Sequence, residues 1–178
     1  MIRLFTAIAL PDDLRARIAA LEAGVHGARW VAGDNLHITL RFIGEVAEDR
    51  VDDIVAALDE VRGRAFTVVP GGAGHFGNGR KLRSIWVGIE SSPEIAALHD
   101  KVDHALVRTG LPPEGRKYTP HVTVARLNGA KRGHVLKWLE ANGGFVALPF
   151  EARSFVLYES RMGRGGSVYV PLAEFPLS

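Results

Sequence analysis

Apolar and polar positions along the chain follow the two periods expected of strands and helices. Residues 4–10 (LFTAIAL) form a short apolar run that stops at a proline, which is typical of a buried strand. In residues 12–23 the apolar side chains recur every three or four positions, which predicts an amphipathic helix. Residues 36–42 (LHITLRF) alternate and predict a second strand. A helix over 47–62 and a strand over 66–69 are predicted to follow.

The second half of the chain repeats this order. Its predicted elements are a strand over 84–90, a helix from Pro93 to about Arg108, a strand over 121–127, a helix over 131–141, and a closing hairpin over 153–160 and 167–175. The glycine-rich stretch 71–79 near the join is predicted to be an exposed, flexible loop. Two copies of strand–helix–strand–helix–strand indicate an internal repeat.

The repeat predicts the fold class. We expect an α+β fold of two lobes, in which two antiparallel sheets with outer helices are related by a pseudo-twofold axis and enclose a central cleft. With 178 residues, the chain suits a single domain. Its lobes are expected at about 1–80 and 81–178, with strand exchange between them allowed.

Each half also carries a His-x-Thr motif on a predicted strand. Because side chains alternate between the faces of a strand, His37, Thr39 and Arg41 are expected on one face, and His121 and Thr123 on the matching face of the other strand. The apolar residues between them are expected to enter the core. A pseudo-twofold axis brings the two polar faces together across the cleft.

Two imidazoles and two hydroxyls suit the hydrolysis of a phosphodiester. Near neutral pH one histidine can take a proton from water while the other protonates the leaving oxygen. Thr39 and Thr123 can donate to the phosphate oxygens that gain charge. Arg41 or Arg126 can neutralise the phosphate. Strict alternation places Arg126 on the core side, so it reaches the phosphate only past the strand end or after a bulge.

Aromatic and basic residues near these motifs are candidates for contacts with a nucleotide. Phe76 and Tyr118 could stack on a terminal base, whereas Trp86, inside an apolar strand, is expected to pack in the core. Two small basic clusters, 80–83 and 116–117, either attract an RNA backbone or are solvated charges.

Composition narrows the alternatives. The chain has no cysteine, which excludes disulfides, thiolate nucleophiles and zinc–thiolate sites. His99 and His104 share a helix at a spacing of five, which separates them too far for a metal pair. We therefore expect no metal and no cofactor. The seven-residue apolar run near the N-terminus is too short for a signal peptide or a membrane span, which favours a cytoplasmic protein without a membrane partner.

HITLRF and HVTVAR resemble the paired HxTx motifs of the two-histidine phosphoesterases. The segments RLFTAIALP, NLHITLRFIGEV, SIWVGI, KYTPHVTVARL and YESRMGRGGSVYVPLAEFPL resemble one branch of them, the RNA 2′,3′-cyclic phosphodiesterases once named 2′-5′ RNA ligases, or LigT-like proteins. The resemblance covers nearly the whole chain.

The resemblance implies an activity and roles for the two histidines. It implies metal-independent opening of a terminal 2′,3′-cyclic phosphate to a 2′-phosphate, with His37 as proton donor and His121 as proton acceptor. Weak reverse joining of the cyclic phosphate to a 5′-hydroxyl is also implied. The residues alone leave the donor and acceptor roles open.

Other substrates and another class of function remain open from sequence. Small cyclic phosphates or 2′-5′ linked oligonucleotides fit the same four motif residues as an RNA end. A catalytically inactive module that binds RNA ends is the alternative from another class. A monomer is expected, because the repeat supplies its own cleft.

Overall fold

The structure, a computed structural model, describes residues 1–178, which form ten strands and four α-helices. The strands are β1 (Ile2–Ala9), β2 (Ala28–Trp30), β3 (His37–Val46), β4 (Phe66–Val68), β5 (Pro70–Asn78), β6 (Lys81–Ile89), β7 (His121–Leu127), β8 (Phe150–Ala152), β9 (Ser154–Gly163) and β10 (Gly166–Pro176). The helices are α1 (Asp12–Ala19), α2 (Val51–Asp59), α3 (Pro93–Arg108) and α4 (Arg132–Asn142).

The longest helix, α3, begins and ends where its sequence predicts. The Ser92 hydroxyl accepts a hydrogen bond from the Ile95 amide, which caps one free N–H group, and Pro93 occupies the first turn. Ile95, Leu98 and Val102 form its buried face. The helix stops at Arg108, before the left-handed Gly110 (φ +99°).

One large antiparallel sheet carries the predicted motif strands at its centre. Its strand order is β10-β9-β1-β3-β7-β6-β5, with β2 paired to β7, while β4 and β8 form a separate two-stranded sheet. β3 and β7 meet at a single residue pair, Ile38 with Val122. The two halves of the sheet therefore separate on either side of this pair, which leaves an opening between them.

Strands from both ends of the chain complete each half of the sheet. β9, near the C-terminus, pairs with β1, and β5, from the first part of the chain, pairs with β6. The mixture of antiparallel sheet and outer helices confirms the predicted α+β class. The division into repeat lobes at about residue 80 stays a prediction.

A single hydrophobic core joins the sheet to the helices. It contains 35 buried residues, among them Ile18, Ile54, Val102 and Val135, which come from the four helices in turn. No helix combines the length and the apolar character needed to cross a bilayer.

The glycine-rich stretch is a strand and not the predicted flexible loop. β5 needs glycine because the Trp86 indole of β6 lies across it: a Cβ on Gly74 would lie 2.3 Å from the ring. At Gly77, φ is +88° and a Cβ would lie 2.0 Å from the carbonyl oxygen of Lys81. Glycine is therefore needed at these two positions because neighbouring atoms leave no room for a side chain. The short strand β2 was not predicted either.

Candidate active site

The two histidines open adjacent strands at the centre of the sheet. His37 is the first residue of β3, and His121 is the first residue of β7. The residues that follow them, Ile38 and Val122, pair across the two strands. Extending this antiparallel register by one residue places His37 opposite Thr123, and Thr39 opposite His121. The two motifs thus lie on adjacent strands, and Thr39 of the first motif lines the same pocket as His121 of the second.

The same hydrogen bond orients each imidazole. Nδ1 of His37 lies 2.6 Å from the carbonyl oxygen of Asn35, and Nδ1 of His121 lies 2.6 Å from that of Thr119. A carbonyl oxygen can only accept, so Nδ1 carries the proton in both rings. Nε2 is then the nitrogen available for proton transfer. In the free site, Nε2 of His37 accepts from the Thr39 hydroxyl at 2.9 Å.

Burial keeps both imidazoles neutral in the free site. It lowers the pKa of His37 to about 4, with further lowering by the charges of His121 and Arg126, against an opposing effect of the bond to Asn35. Burial also lowers the pKa of His121, and the bond to Thr119 opposes it. Both rings are therefore proton acceptors at neutral pH until an anion enters.

A β-bulge interrupts each motif strand at the same place. Against β1, the register steps from Thr39 to Arg41, and against β6 it steps from Thr123 to Ala125. Leu40 and its counterpart Val124 are the unpaired residues. Two consecutive side chains then enter the core in each strand, and the next one returns to the cleft.

The first bulge corrects the predicted role of Arg41. Its side chain is buried, 6% exposed, instead of facing the cleft. Nε donates to Asp103 at 2.8 Å, and the other guanidinium nitrogens donate to the carbonyl oxygens of Phe42 and Pro112. Each of its three guanidinium nitrogens donates to a partner inside the protein, and the side chain does not reach the cleft, so the predicted phosphate contact of Arg41 is wrong. Phe42, which alternation places in the core, is 46% exposed at the cleft instead.

The second bulge brings Arg126 to the site. Arg126 is exposed on the face that carries His121 and Thr123, and it lies in the same pocket as His37 and Thr39. The bulge at Val124 turns the Arg126 side chain from the core side to the cleft side of β7, and its contact with the phosphate stays a prediction. The residue that returns to the cleft after the bulge is aromatic in β3, where it is Phe42, and cationic in β7, where it is Arg126.

Different aromatic rings surround the two histidines. His37 lies between Phe5 and Tyr169, with ring centroids 4.9 and 5.4 Å away. His121 lies against Phe76 at 4.8 Å and Trp86 at 5.7 Å. Trp86 is thus partly buried beside the site instead of deep in the core. The contact of Phe5 and Tyr169 with His37 was missed, since no pattern in sequence links β1 and β10 to the motif.

Tyr118 braces the backbone of the first motif. Its hydroxyl donates to the Thr39 carbonyl oxygen at 2.9 Å, and its ring stacks on His99 at 4.2 Å. His99 is buried and its Nδ1 bonds the Leu40 carbonyl oxygen at 2.7 Å. This role of His99 was not predicted, although its position beside Leu98 on the buried face of α3 was a signal of burial.

Two pockets flank the histidines and share Thr39, Phe42 and Arg116. The first, of about 280 Å³, lies on the His121 side. It includes the predicted stacking residues Phe76 and Tyr118. The second, of about 450 Å³, lies on the His37 side and is more polar. No group of three or more His, Asp or Glu side chains that could hold a metal ion is present.

Comparisons with known proteins agree with this geometry. The model of the 2′-5′ RNA ligase superfamily matches residues 10–164. The chain is 36% identical over 162 residues to the RNA 2′,3′-cyclic phosphodiesterase of Aeropyrum pernix, covering 90% of this chain and 92% of that protein. It is 29% identical over 180 residues to the Escherichia coli protein of the same name, covering 99% and 97%.

Solved structures give the same result. Escherichia coli LigT in complex with 3′-AMP superposes with a TM-score of 0.79 at 28% identity, covering 99% of this chain and 98% of that one. The family match spans most of the chain, and the histidine motifs lie within it. This protein belongs to the 2′-5′ RNA ligase superfamily.

Proposed function

We propose that this protein is a hydrolase that opens the terminal 2′,3′-cyclic phosphate of RNA. The observation that carries the proposal is the pair of imidazoles on adjacent strands, each with Nδ1 fixed on a backbone carbonyl and Nε2 left for proton transfer. Relatives over nearly the full length of the chain are RNA 2′,3′-cyclic phosphodiesterases, which supports the same substrate.

The proposed reaction is an acid–base hydrolysis at phosphorus. Nε2 of His121 takes a proton from water as the water oxygen attacks phosphorus. The bond from phosphorus to the ribose O3′ breaks, and Nε2 of His37 gives its proton to that oxygen. The product is a 2′-phosphate with a free 3′-hydroxyl. Thr39, Thr123 and Arg126 would hold the non-bridging oxygens, which gain charge in the transition state.

The substrate itself would supply the protonation that His37 needs as a donor. In the free site its pKa is about 4, so the ring is neutral at pH 7. An anionic phosphate beside the ring favours the imidazolium and raises this pKa. The Thr39 hydroxyl, which donates to Nε2 in the free site, would then be released to donate to a phosphate oxygen.

The aromatic pocket is the proposed place for the terminal base. Phe76 and Tyr118 lie there with Phe42 and Leu40, within reach of a nucleoside whose phosphate is held between the histidines. The complex of a related LigT with 3′-AMP supports a nucleotide of this size. We also propose that the protein is a cytoplasmic monomer. Weak reverse joining of the cyclic phosphate to a 5′-hydroxyl is part of the same proposal.

A comparison of substrates tests the proposal. Rates are measured on a short RNA ending in a 2′,3′-cyclic phosphate, on the same RNA with a 3′-phosphate, on a 2′-5′ linked oligonucleotide and on small cyclic phosphates. We expect the highest kcat/KM on the RNA cyclic end. Equal or higher values on the small molecules would move the function to the alternative substrates, and tight RNA-end binding without turnover would indicate an inactive binding module.

The pH dependence should show the effect of burial on the histidines. We expect kcat/KM, which reports the free enzyme, to be bell-shaped with its optimum below pH 6.5, because both histidine pKa values are lowered there. The optimum of kcat should lie at higher pH, because the bound phosphate raises both values. Initial rates at constant ionic strength check this. A kcat/KM optimum above that of kcat would contradict it.

A further inference from the structure

The polar pocket on the His37 side carries more positive charge than one phosphate needs. Its volume is about 450 Å³, and Arg3, Arg116 and Arg126 line it together with Ser160, Ser167 and Tyr169. No carboxylate is among its lining residues. A cyclic phosphate diester has one negative charge, and Arg126, whose charge acts on His37, would neutralise it.

The other two arginines have no carboxylate partner. Ion pairs elsewhere in the chain occupy Arg15, Arg41, Arg153 and Arg161, but neither Arg3 nor Arg116 makes one. The Arg3 guanidinium instead lies 5.3 Å from the centre of the Phe42 ring, at the edge of the pocket. Exposed guanidinium groups that line one pocket and make no ion pair are a ready site for a second phosphate.

Three different parts of the fold deliver these charges to one place. Arg3 comes from β1, Arg126 follows the bulge in β7, and Arg116 comes from the loop that precedes β7. That loop is fixed to the protein by the bonds of Arg41 to Pro112 and of Asp103 to the Glu114 amide. The fold therefore fixes the backbone positions of these three arginines around the pocket.

We propose that this pocket binds the phosphate on the 5′ side of the terminal nucleoside, so that the enzyme distinguishes ends by a second phosphate group. The inference rests on the proposed function. The histidines and Thr39 hold the cyclic phosphate, the aromatic pocket takes the base, and the chain continues over the arginine pocket. Arg3 then acts as a specificity residue for the next phosphate and makes no contact with the reacting one.

Three matched substrates separate the sources of that phosphate. Adenosine 2′,3′-cyclic phosphate has none, its 5′-phosphorylated form has a terminal one, and the dinucleotide ApA 2′,3′-cyclic phosphate has a bridging one. We expect both phosphorylated substrates to have kcat/KM about tenfold higher, the scale of one charge-assisted contact. A higher kcat/KM with the dinucleotide alone would assign the site to the RNA backbone. A higher kcat/KM with both substrates would assign it to any second phosphate.

Arg3→Gln tests which residue supplies the discrimination. It should remove most of the gain and leave turnover of the unphosphorylated substrate unchanged, while Arg132→Gln, an exposed charge outside both pockets, should keep the gain. Equal kcat/KM on all three substrates by the wild-type protein would overturn the second-phosphate site and the preference for RNA ends, and would leave the hydrolysis of the cyclic phosphate standing. Absence of turnover on every cyclic phosphate would overturn the proposed function and this inference with it.

Discussion

Replacing either His37 or His121 with alanine is expected to lower kcat on a 2′,3′-cyclic phosphate end by about 10²- to 10⁴-fold, the range of one general acid or base. His121→Ala removes the group that takes the proton from water. His37→Ala removes the group that protonates O3′. Both Nε2 atoms are placed for these transfers by the bonds of Nδ1 to Asn35 and Thr119. Single-turnover rates on a labelled RNA end measure the effect.

The two losses are expected to be far from additive. Donor and acceptor serve one displacement, so a variant lacking both histidines should be little slower than either single variant. His104→Ala is the matched control, because this histidine is exposed on α3 and lies outside both pockets. Turnover by His37→Ala or by His121→Ala at the wild-type rate would show that the catalytic pair is a different one.

Asp103→Ala is expected to produce the largest loss of stability among polar substitutions, about 3–5 kcal/mol, because it leaves the buried Arg41 without a counter-charge. Burial tends to raise the pKa of Asp103, but the hydrogen bond from Arg41, the Glu114 amide and the Arg41 charge lower it overall. The carboxylate is therefore ionised and paired in the folded protein. Its loss also frees the Glu114 amide from the loop that carries Arg116.

Chemical denaturation at pH 7 measures this loss. For a chain of this size it corresponds to a decrease of about 6–20 °C in Tm. Asp100→Ala is the control, because Asp100 is exposed on the same helix and makes no ion pair. The double variant Arg41→Met with Asp103→Leu should recover much of the stability, since it removes both charges. A loss below about 1 kcal/mol in Asp103→Ala would show that Arg41 is hydrated.

The strongest local patterns predicted their elements closely. Strand 121–127 has the predicted bounds, and α3 has both predicted ends, because alternation in one and a proline, a cap and an apolar face in the other all agree. The closing hairpin over β9 and β10 follows from its glycine-rich turn. His37, Thr39, His121 and Thr123 lie on the adjacent strands β3 and β7, on either side of the paired Ile38 and Val122. Their shared role in catalysis stays a prediction.

Interactions between distant strands account for what the sequence did not predict. A bulge has no mark in LHITLRF, so alternation placed Arg41 in the cleft and Phe42 in the core, the reverse of the structure. The same feature in β7 moved Arg126 into the cleft. The partner that makes Arg41 stable inside, Asp103, lies 62 positions away and is reached only after folding. Two glycines that signal a loop are instead required by close packing, Gly74 by the indole of Trp86 and Gly77 by the backbone of Lys81.

The most direct test of the account is one assay of the wild-type protein. A short RNA ending in a 2′,3′-cyclic phosphate is incubated with the enzyme in excess EDTA, and the phosphate position in the product is determined. We expect complete conversion to a 2′-phosphate end, because side chains of the two motifs supply the acid, the base and the phosphate contacts. No conversion in EDTA, or a product with a 3′-phosphate, would contradict it.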